Sequence, residues 1–523
     1  MNWNEAIKDL NIRREKSKLG GGESKIAKQH EKGKLTARER LELLFDEGSF
    51  VEIDNFVESR IEDFGVGKKR VPGDGVVVGY GKINGRTVFA SSEDFTVIGG
   101  TLGEYHSAKI CHIQDLAYEN GAPIIMVNDS GGARIEEGIS SLSGYGGIFL
   151  RNTKASGVIP QIAVILGPCS GGACYSPALC DFIFMVRKTG KMFITGPQVV
   201  KTVLNEDITV DELGGADVHA KKSGVTHFTY DNEQECISGV RKLLEYLPDN
   251  CTDKPRELPI VKRRKYIARN PYNKCEEFTS IVSVNSKKPY DVHEIIKRIV
   301  DEEDYLEVQK DFAKNAVICF ARMNGQAVGI VANQPTYLAG AIDCDASDKM
   351  ARFIRTCDCY NIPIITLVDV PAFYPGKNQE HNGIIRHGAK MLYAYAEASV
   401  PKITLIMRKA YGGAYIAMNS KEMGADIVYA WPIAEIAVMG AEGAVNIIFK
   451  NDINKAEDPA KERARLISEY EERFMNPYVA AARGFITEVI DPKESRDKIL
   501  SALEMLKNKN TDNKCRKHAN IPM

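Results

Sequence analysis

The 523-residue sequence contains no apolar run near the roughly 20 residues that cross a bilayer, which argues against a membrane-spanning helix. Its start, MNWNEAIKDLNIRREKSK, has no apolar core of a secretory signal. The 12 cysteines include no C-x-x-C pair; Cys357 and Cys359 form only a C-x-C. They read as reduced thiols rather than as disulfides or a zinc ribbon. The expected compartment is the cytoplasm or an organelle matrix, with any membrane reached only through partners. No H-E-x-x-H, G-x-S-x-G or G-x-x-x-x-G-K-[ST] occurs, the histidines share no ligand spacing, and Gly144-Tyr145-Gly146-Gly147 lacks the spacing of a dinucleotide loop. The sequence therefore offers no ATP site, no metal site and no evident side-chain nucleophile. A net charge of −1 gives no global pull toward nucleic acid. Charge is uneven, however: residues 1–40 hold 11 Lys/Arg against 6 Asp/Glu around Gly20-Gly21-Gly22. That arm reads either as a solvated helix or as bases meeting the phosphates of an anionic ligand.

What is present is a duplication. Ile83-Asn84-Gly85-Arg86 recurs as Met323-Asn324-Gly325-Gln326, and Ala122-Pro123-Ile124-Ile125-Met126-Val127-Asn128-Asp129 as Ile362-Pro363-Ile364-Ile365-Thr366-Leu367-Val368-Asp369, both at an offset of 240. At an offset of 241, residues 157–162 match 398–403 and Gly171-Gly172-Ala173 matches Gly412-Gly413-Ala414. An amphipathic segment precedes each copy, at 37–53 and 291–308, and Thr36 with Glu39 forms a candidate capping box. Matches in one order indicate a tandem duplication. Within each copy, short β-rich apolar runs (PIIMVND, FIFMV, KITLIM) alternate with segments of helical period, predicting an α/β fold with buried strands. The expected domains are 1–250 and 289–523, joined by a proline-bearing, KRRK-containing linker at 251–288.

Each copy carries a strand, a small-residue turn and a helix: AVILGPCSGGACYSPAL (163–179) and TLIMRKAYGGAYIAMNS (404–420). Paired glycines let the backbone turn sharply and bare its N–H groups, and the following helix adds its positive end. Such donors stabilise a developing oxyanion by roughly 2.7–4 kcal/mol each. One such turn usually serves only helix packing; two at equivalent places in a duplicated domain favour chemistry. Asp129-Ser130-Gly131-Gly132-Ala133-Arg134 adds a strand end with bare N–H groups, suited to a thioester ligand lying on the main chain. Its counterpart, Asp369-Val370-Pro371-Ala372-Phe373-Tyr374, offers a rigid apolar wall for a flat ring.

Together with DSGGAR and GPCSGGACYSPAL, the segments FITGPQVV, GGADVHAKKSGVTHF, NGIIRHGAKMLYAYAEASVPKIT, RKAYGGAYIAMNSKEMGAD and AVMGAEGAVNI resemble the carboxyltransferase (β) subunits of biotin-dependent acyl-CoA carboxylases. The family includes propionyl-CoA carboxylase β, the methylmalonyl-CoA carboxyltransferase subunit and methylmalonyl-CoA decarboxylase α. The resemblance implies two crotonase-like (ClpP/crotonase) domains, acyl-CoA on the first and biotin on the second, usually in a hexamer. It implies that Gly171 and Gly172 bind the thioester oxygen, that Gly413 and Ala414 bind the ureido oxygen of biotin, and that biotin itself supplies the base. By position, Ser130, Gly131, Gly132, Ala133, Arg134 and Ile416 fall to the acyl-CoA side, and Pro371, Phe373, Tyr411 and Gly412 to biotin. The family often has Val-Pro-Gly-Phe where this chain has Val370-Pro371-Ala372-Phe373, and an acidic residue at 416 in propionyl-selective members. No Met-Lys-Met acceptor occurs, so biotin is expected on a partner: a biotin carboxyl carrier protein or biotinylated subunit, with either a biotin carboxylase or the membrane subunits of a sodium-pumping decarboxylase. Two readings of other classes are a biotin-independent crotonase-type enzyme, for which no facing carboxylate pair can be placed, and a non-catalytic CoA-binding scaffold, which the two intact glycine turns disfavour.

Overall fold

Asn84-Gly85 joins β2 (Val76–Ile83) to β3 (Arg86–Glu93), with φ of 51° and 75°. Asn324-Gly325 does the same between β10 (Ala316–Met323) and β11 (Gln326–Asn333), with φ of 51° and 78°. Two consecutive left-handed residues are what a two-residue hairpin turn demands, and Asn-Gly meets that at least cost. These hairpins open the two halves of the computed structural model, which divides into the units Met1–Asp253 and Lys254–Met523. It describes residues 2–65, 67, 70–257, 275, 277–509, 518 and 520–523.

In the first unit, β1 (Val51–Ile53) and the hairpin are followed by the parallel strands β4 (Ile124–Ser130), β5 (Gln161–Ser170) and β6 (Phe182–Val186), then by β8 (Phe228–Tyr230). The short β7 (Lys191–Phe193) pairs with the end of β5, from Pro168 to Ser170. Every residue of β4 is buried, as expected for a parallel strand covered on both faces. Helices Glu104–Glu119 and Ile139–Ala155 cover one face through Ile110, Ile113, Ala117 and Ile148, packed on Ile124, Met126 and Ile165.

The second unit repeats the plan: β9 (Tyr305–Val308), the hairpin, β12 (Ile364–Val370), β13 (Lys402–Tyr411), β14 (Ile427–Ala430) and β16 (Glu488–Val489), with β15 (Glu435–Ala437) paired to the end of β13. Its strands carry the same register: Phe89 faces Ile124 in one unit, and Gly329 faces Ile364 in the other. Of the two amphipathic segments, the first forms helix Ala37–Leu44, capped by Thr36 and Glu39 as expected. The second forms helix His293–Ile299 and then β9.

The expected linker at 251–288 needs correction. Residues 258–274 and 276 lie outside the described residues. The last part belongs to the second unit's interior, because Phe278 and Val282 are buried with Val292, Ile295, Ile330 and Trp431. Among the described residues no helix is long and apolar enough to cross a membrane.

Candidate active site

β5 and β13 each run into a glycine with positive φ, 61° at Gly171 and 57° at Gly412. Only a residue without Cβ reverses the chain there cheaply. A short helical turn follows at once, Gly171–Cys174 in the first unit and Gly412–Ala417 in the second. The preceding residues, Ser170 and Tyr411, make no side-chain cap. The first N–H groups of a helix have no partner within it, so both turns present donors at the end of a parallel strand.

The turns differ in the room beside them. A Cβ on Gly172 would lie 3.1 Å from Tyr145 Cδ2, against the ring. A Cβ on Gly413 would meet nothing nearer than Phe373 Cε2, at 4.0 Å. Gly412, Gly413 and the half-exposed Ile416 line a largely apolar cavity of 650 Å³ with Ile436, Val438, Phe474 and Phe485. Ala414 is buried, leaving its main chain as the part offered to a ligand.

The strand end beside the first turn is tightly held. Ser130 Oγ donates to Gly100 O at 2.6 Å and accepts from Gly132 N at 3.1 Å. Gly132, at φ 103°, passes so close to Ser170 O that a Cβ would lie 2.9 Å from it. Ala133 pairs with Leu102 in an isolated bridge. Arg134 is fully buried, bound to Asp74 at 2.9 Å, Glu137 at 2.7 Å and Thr101 O at 3.0 Å. Its guanidinium therefore braces the loop from inside, and Gly131 is the exposed member of the group.

In the second unit Phe373 packs against the helix Ile384–Glu397, where a Cβ on Gly388 would lie 2.9 Å from its ring. Pro371 is half-buried beside it. Tyr411 points elsewhere: its hydroxyl donates to the Glu435 carboxylate and lines a second cavity of 520 Å³ with Lys409 and Glu471. Burial pushes the Tyr411 phenol well up, and the Glu435 charge adds to that. The residues matched to biotin thus divide between two cavities, Gly412 in one and Tyr411 in the other.

Two buried carboxylates anchor these strand ends, through partners that no sequence motif marks. Asp129 is fully buried and paired with Lys34 at 2.7 Å and Arg40 at 2.9 Å, with Gln29 donating at 3.1 Å. Arg40 also binds Glu233 at 2.7 Å. In the second unit, Asp369 is held at 2.9 Å by Arg408, which also donates to Lys288 O at 2.8 Å. Arg408 stands 241 residues after Gly167, and a Cβ on Gly167 would collide with Asp129 Oδ1 at 1.8 Å. One copy supplies the cation from its own strand. The other leaves that place empty so that the N-terminal arm can reach in. Aligning the repeats residue by residue would have exposed the exchange. The same geometry gives Lys34 and Arg40 internal roles in place of phosphate contacts.

Residues 28–521 match the carboxyl transferase domain family. The chain belongs to that family. It is 53% identical, over 100% of both chains, to the propionyl-CoA carboxylase carboxyltransferase subunit of Haloferax mediterranei. It is 54% identical, over 99% of each, to methylmalonyl-CoA decarboxylase subunit alpha of Propionigenium modestum. The crystal structure of transcarboxylase 12S, described as a hexamer with methylmalonyl-coenzyme A and methylmalonic acid bound, superposes with a TM-score of 0.95 at 52% identity, covering 100% of this chain and 99% of that one. The carboxyltransferase fold expected from the sequence, an α/β tandem duplication of a crotonase-like domain, is the one observed.

Proposed function

We propose that the chain moves a carboxyl group between biotin carried on a partner protein and the α-carbon of a short acyl-CoA of the propionyl/methylmalonyl type. The observation that carries this reading is the pair of uncapped strand–glycine–helix turns at equivalent places in the two units. Carboxyl transfer develops negative charge on two oxygens, the thioester oxygen and the ureido oxygen, and the chain has one set of main-chain donors for each. Gly171 and Gly172 serve the thioester, with Gly131 and Gly132 offering main chain alongside. Gly413 and Ala414 serve the ureido group. Biotin, when bound, supplies or receives the carboxyl group. The open space over Gly413 and the 650 Å³ cavity beside it fit a compact ring, with Phe373 as a flat wall. Neither turn requires an ionisable side chain, consistent with the missing nucleophile.

A homo-oligomer, with a hexamer as in the 12S relative, and a biotinylated carrier subunit complete the proposal. Relatives named as carboxylase and as decarboxylase are equally similar, so the companion subunits set the direction: a biotin carboxylase for synthesis, membrane subunits for decarboxylation. Purification of the complex from its own cells tests this. The chain itself should give no streptavidin signal while a biotinylated protein copurifies. A biotinylated chain, or a complex without any biotinylated member, refutes the arrangement.

A further inference from the structure

The face of the first unit's sheet that meets helices Glu104–Glu119 and Ile139–Ala155 is unusually polar for a core. It buries Ser91, Glu93, His106, Gln114, Asn128, Asn152 and Ser176. The matching places in the second unit hold mostly apolar groups: Val331 for Ser91, Ala346 for His106, Ile354 for Gln114, Val368 for Asn128 and Ala417 for Ser176. Glu93 is the titratable member nearest the strand ends, at the end of β3 beside Asp129 and Asn128.

Its counterpart, 240 residues on, is Asn333. The two do the same first task. Glu93 Oε2 accepts from Asp129 N at 2.8 Å, and Asn333 Oδ1 accepts from Asp369 N at 3.2 Å. Asn333 also donates, through Nδ2, to Gly340 O at 3.2 Å. The fold thus places here a group with one accepting and one donating atom, which a carboxylate is not and a protonated carboxyl is. Beside the second oxygen of Glu93 is the fully buried His106, whose neutral ring has one acceptor nitrogen, and neither ring nitrogen has a hydrogen-bond partner among the described residues. His106 Nε2 lies 4.0 Å from Glu93 Oε1.

We infer that Glu93 is held as a neutral carboxylic acid and acts as a positioning residue, gripping the end of β4 beside the Gly171/Gly172 turn without placing a negative charge behind it. Asp129 on β4 is already an anion, neutralised by Lys34 and by Arg40 of the helix Ala37–Leu44. His106 is kept neutral by burial, with Arg134 and Lys109 adding to that effect. Tyr145 and Cys169, which face the same pocket from the helix Ile139–Ala155 and from β5, are raised and carry no charge. Burial lifts the Glu93 carboxyl to about 8, with the Asp129 charge pushing the same way and the Asp129 N–H, Asn128 and Arg40 opposing. An ionised Glu93 would sit two strands from donors meant to collect developing negative charge, and would weaken them.

Glu93→Gln tests this, because an amide keeps one acceptor and one donor and cannot ionise. In the infrared, the wild-type protein should show a protonated-carboxyl stretch near neutral pH that disappears as the pH passes about 8 and is missing from E93Q. The variant should fold with no loss of Tm and keep its turnover at neutral pH within a few-fold. Wild-type turnover should fall about tenfold per pH unit above that ionisation, and E93Q should lack this limb. No protonated-carboxyl band overturns the inference, and so does an E93Q protein that fails to fold. An alkaline limb that persists in E93Q overturns the link to the turn. The kinetic arm rests on the carboxyl-transfer reading and the infrared arm does not. A band without any carboxyl transfer therefore counts against that reading alone and leaves the neutral carboxyl established.

Discussion

Adding one methyl group at each glycine turn separates the two sites by their surroundings. At Gly413 the new Cβ meets only Phe373 Cε2 at 4.0 Å, an ordinary contact, and the backbone is not left-handed. Gly413→Ala should therefore leave stability unchanged or slightly raised, since alanine favours a helix over glycine by up to about 1 kcal/mol. The methyl group nevertheless stands at the mouth of the donor turn. Obstructing one oxyanion donor costs about 2.7–4 kcal/mol, or roughly 10²–10³ in kcat. At Gly172 the Cβ comes within 3.1, 3.3 and 3.4 Å of three Tyr145 ring atoms, so the ring must shift. Overpacking of that kind costs about 1–3 kcal/mol, and for a unit of this size each kcal/mol moves Tm by about 2–4 °C. The assay pairs calorimetry with steady-state kinetics on propionyl-CoA and biotin. G413A should lose turnover with Tm intact and acyl-CoA affinity nearly unchanged; G172A should lose turnover and several degrees of Tm. If G413A keeps kcat within threefold, or weakens CoA binding as much as G172A does, the assignment of sites to units is wrong.

Arg408→Met should leave the buried Asp369 only its longer pair with Lys409, at 3.6 Å, and cost up to about 3–5 kcal/mol, read by chemical denaturation, whereas cutting an exposed pair such as Arg465–Glu462 should leave the midpoint nearly unmoved; equal shifts would refute the buried-anchor account. His293 is raised above 6.5 by its hydrogen bond to Glu307, and by Asp291. The stability this gives is full below pH 6.5 and lost as pH rises through the folded value, so the Tm deficit of His293→Gln should shrink in alkali; a pH-independent deficit contradicts it. Ile416, half-exposed in the cavity beside Gly413, should accept acetyl- and propionyl-type thioesters with kcat/KM differing by no more than about 10- to 200-fold. Ile416→Asp should shift that ratio; a fixed ratio in a folded variant removes Ile416 from the acyl site.

The duplication made most of the fold legible. Asn84-Gly85 and Asn324-Gly325 mark the repeat and form the turns of its two hairpins, and the buried runs of β4 and β12 are visible because parallel strands covered on both faces need little polarity. The glycine turns were legible for the same reason: Gly171 and Gly412 require positive φ. What stayed hidden was chemistry depending on pairs far apart in sequence. Nothing local marks Lys34 and Arg40 as partners of Asp129, or Gly167 as the hole they fill; only its replacement by Arg408 in the other copy does. The resemblance puts Arg134 on the acyl-CoA side, but Asp74 and Glu137 enclose its guanidinium. The end of the linker is hard to place because the apolar set Phe278, Ile281 and Val282 spans only one short helical turn between polar residues, although tertiary burial claims Phe278 and Val282.

The central claim is that biotin receives the carboxyl group of an acyl-CoA on this chain. Its most direct test is to incubate the pure protein with methylmalonyl-CoA labelled in the free carboxyl group, with and without free biotin or a biotinyl carrier domain. The account predicts propionyl-CoA formation and label transfer that depend on biotin and are lost in G413A. Conversion that proceeds equally without biotin, or no transfer even with the carrier, would contradict it.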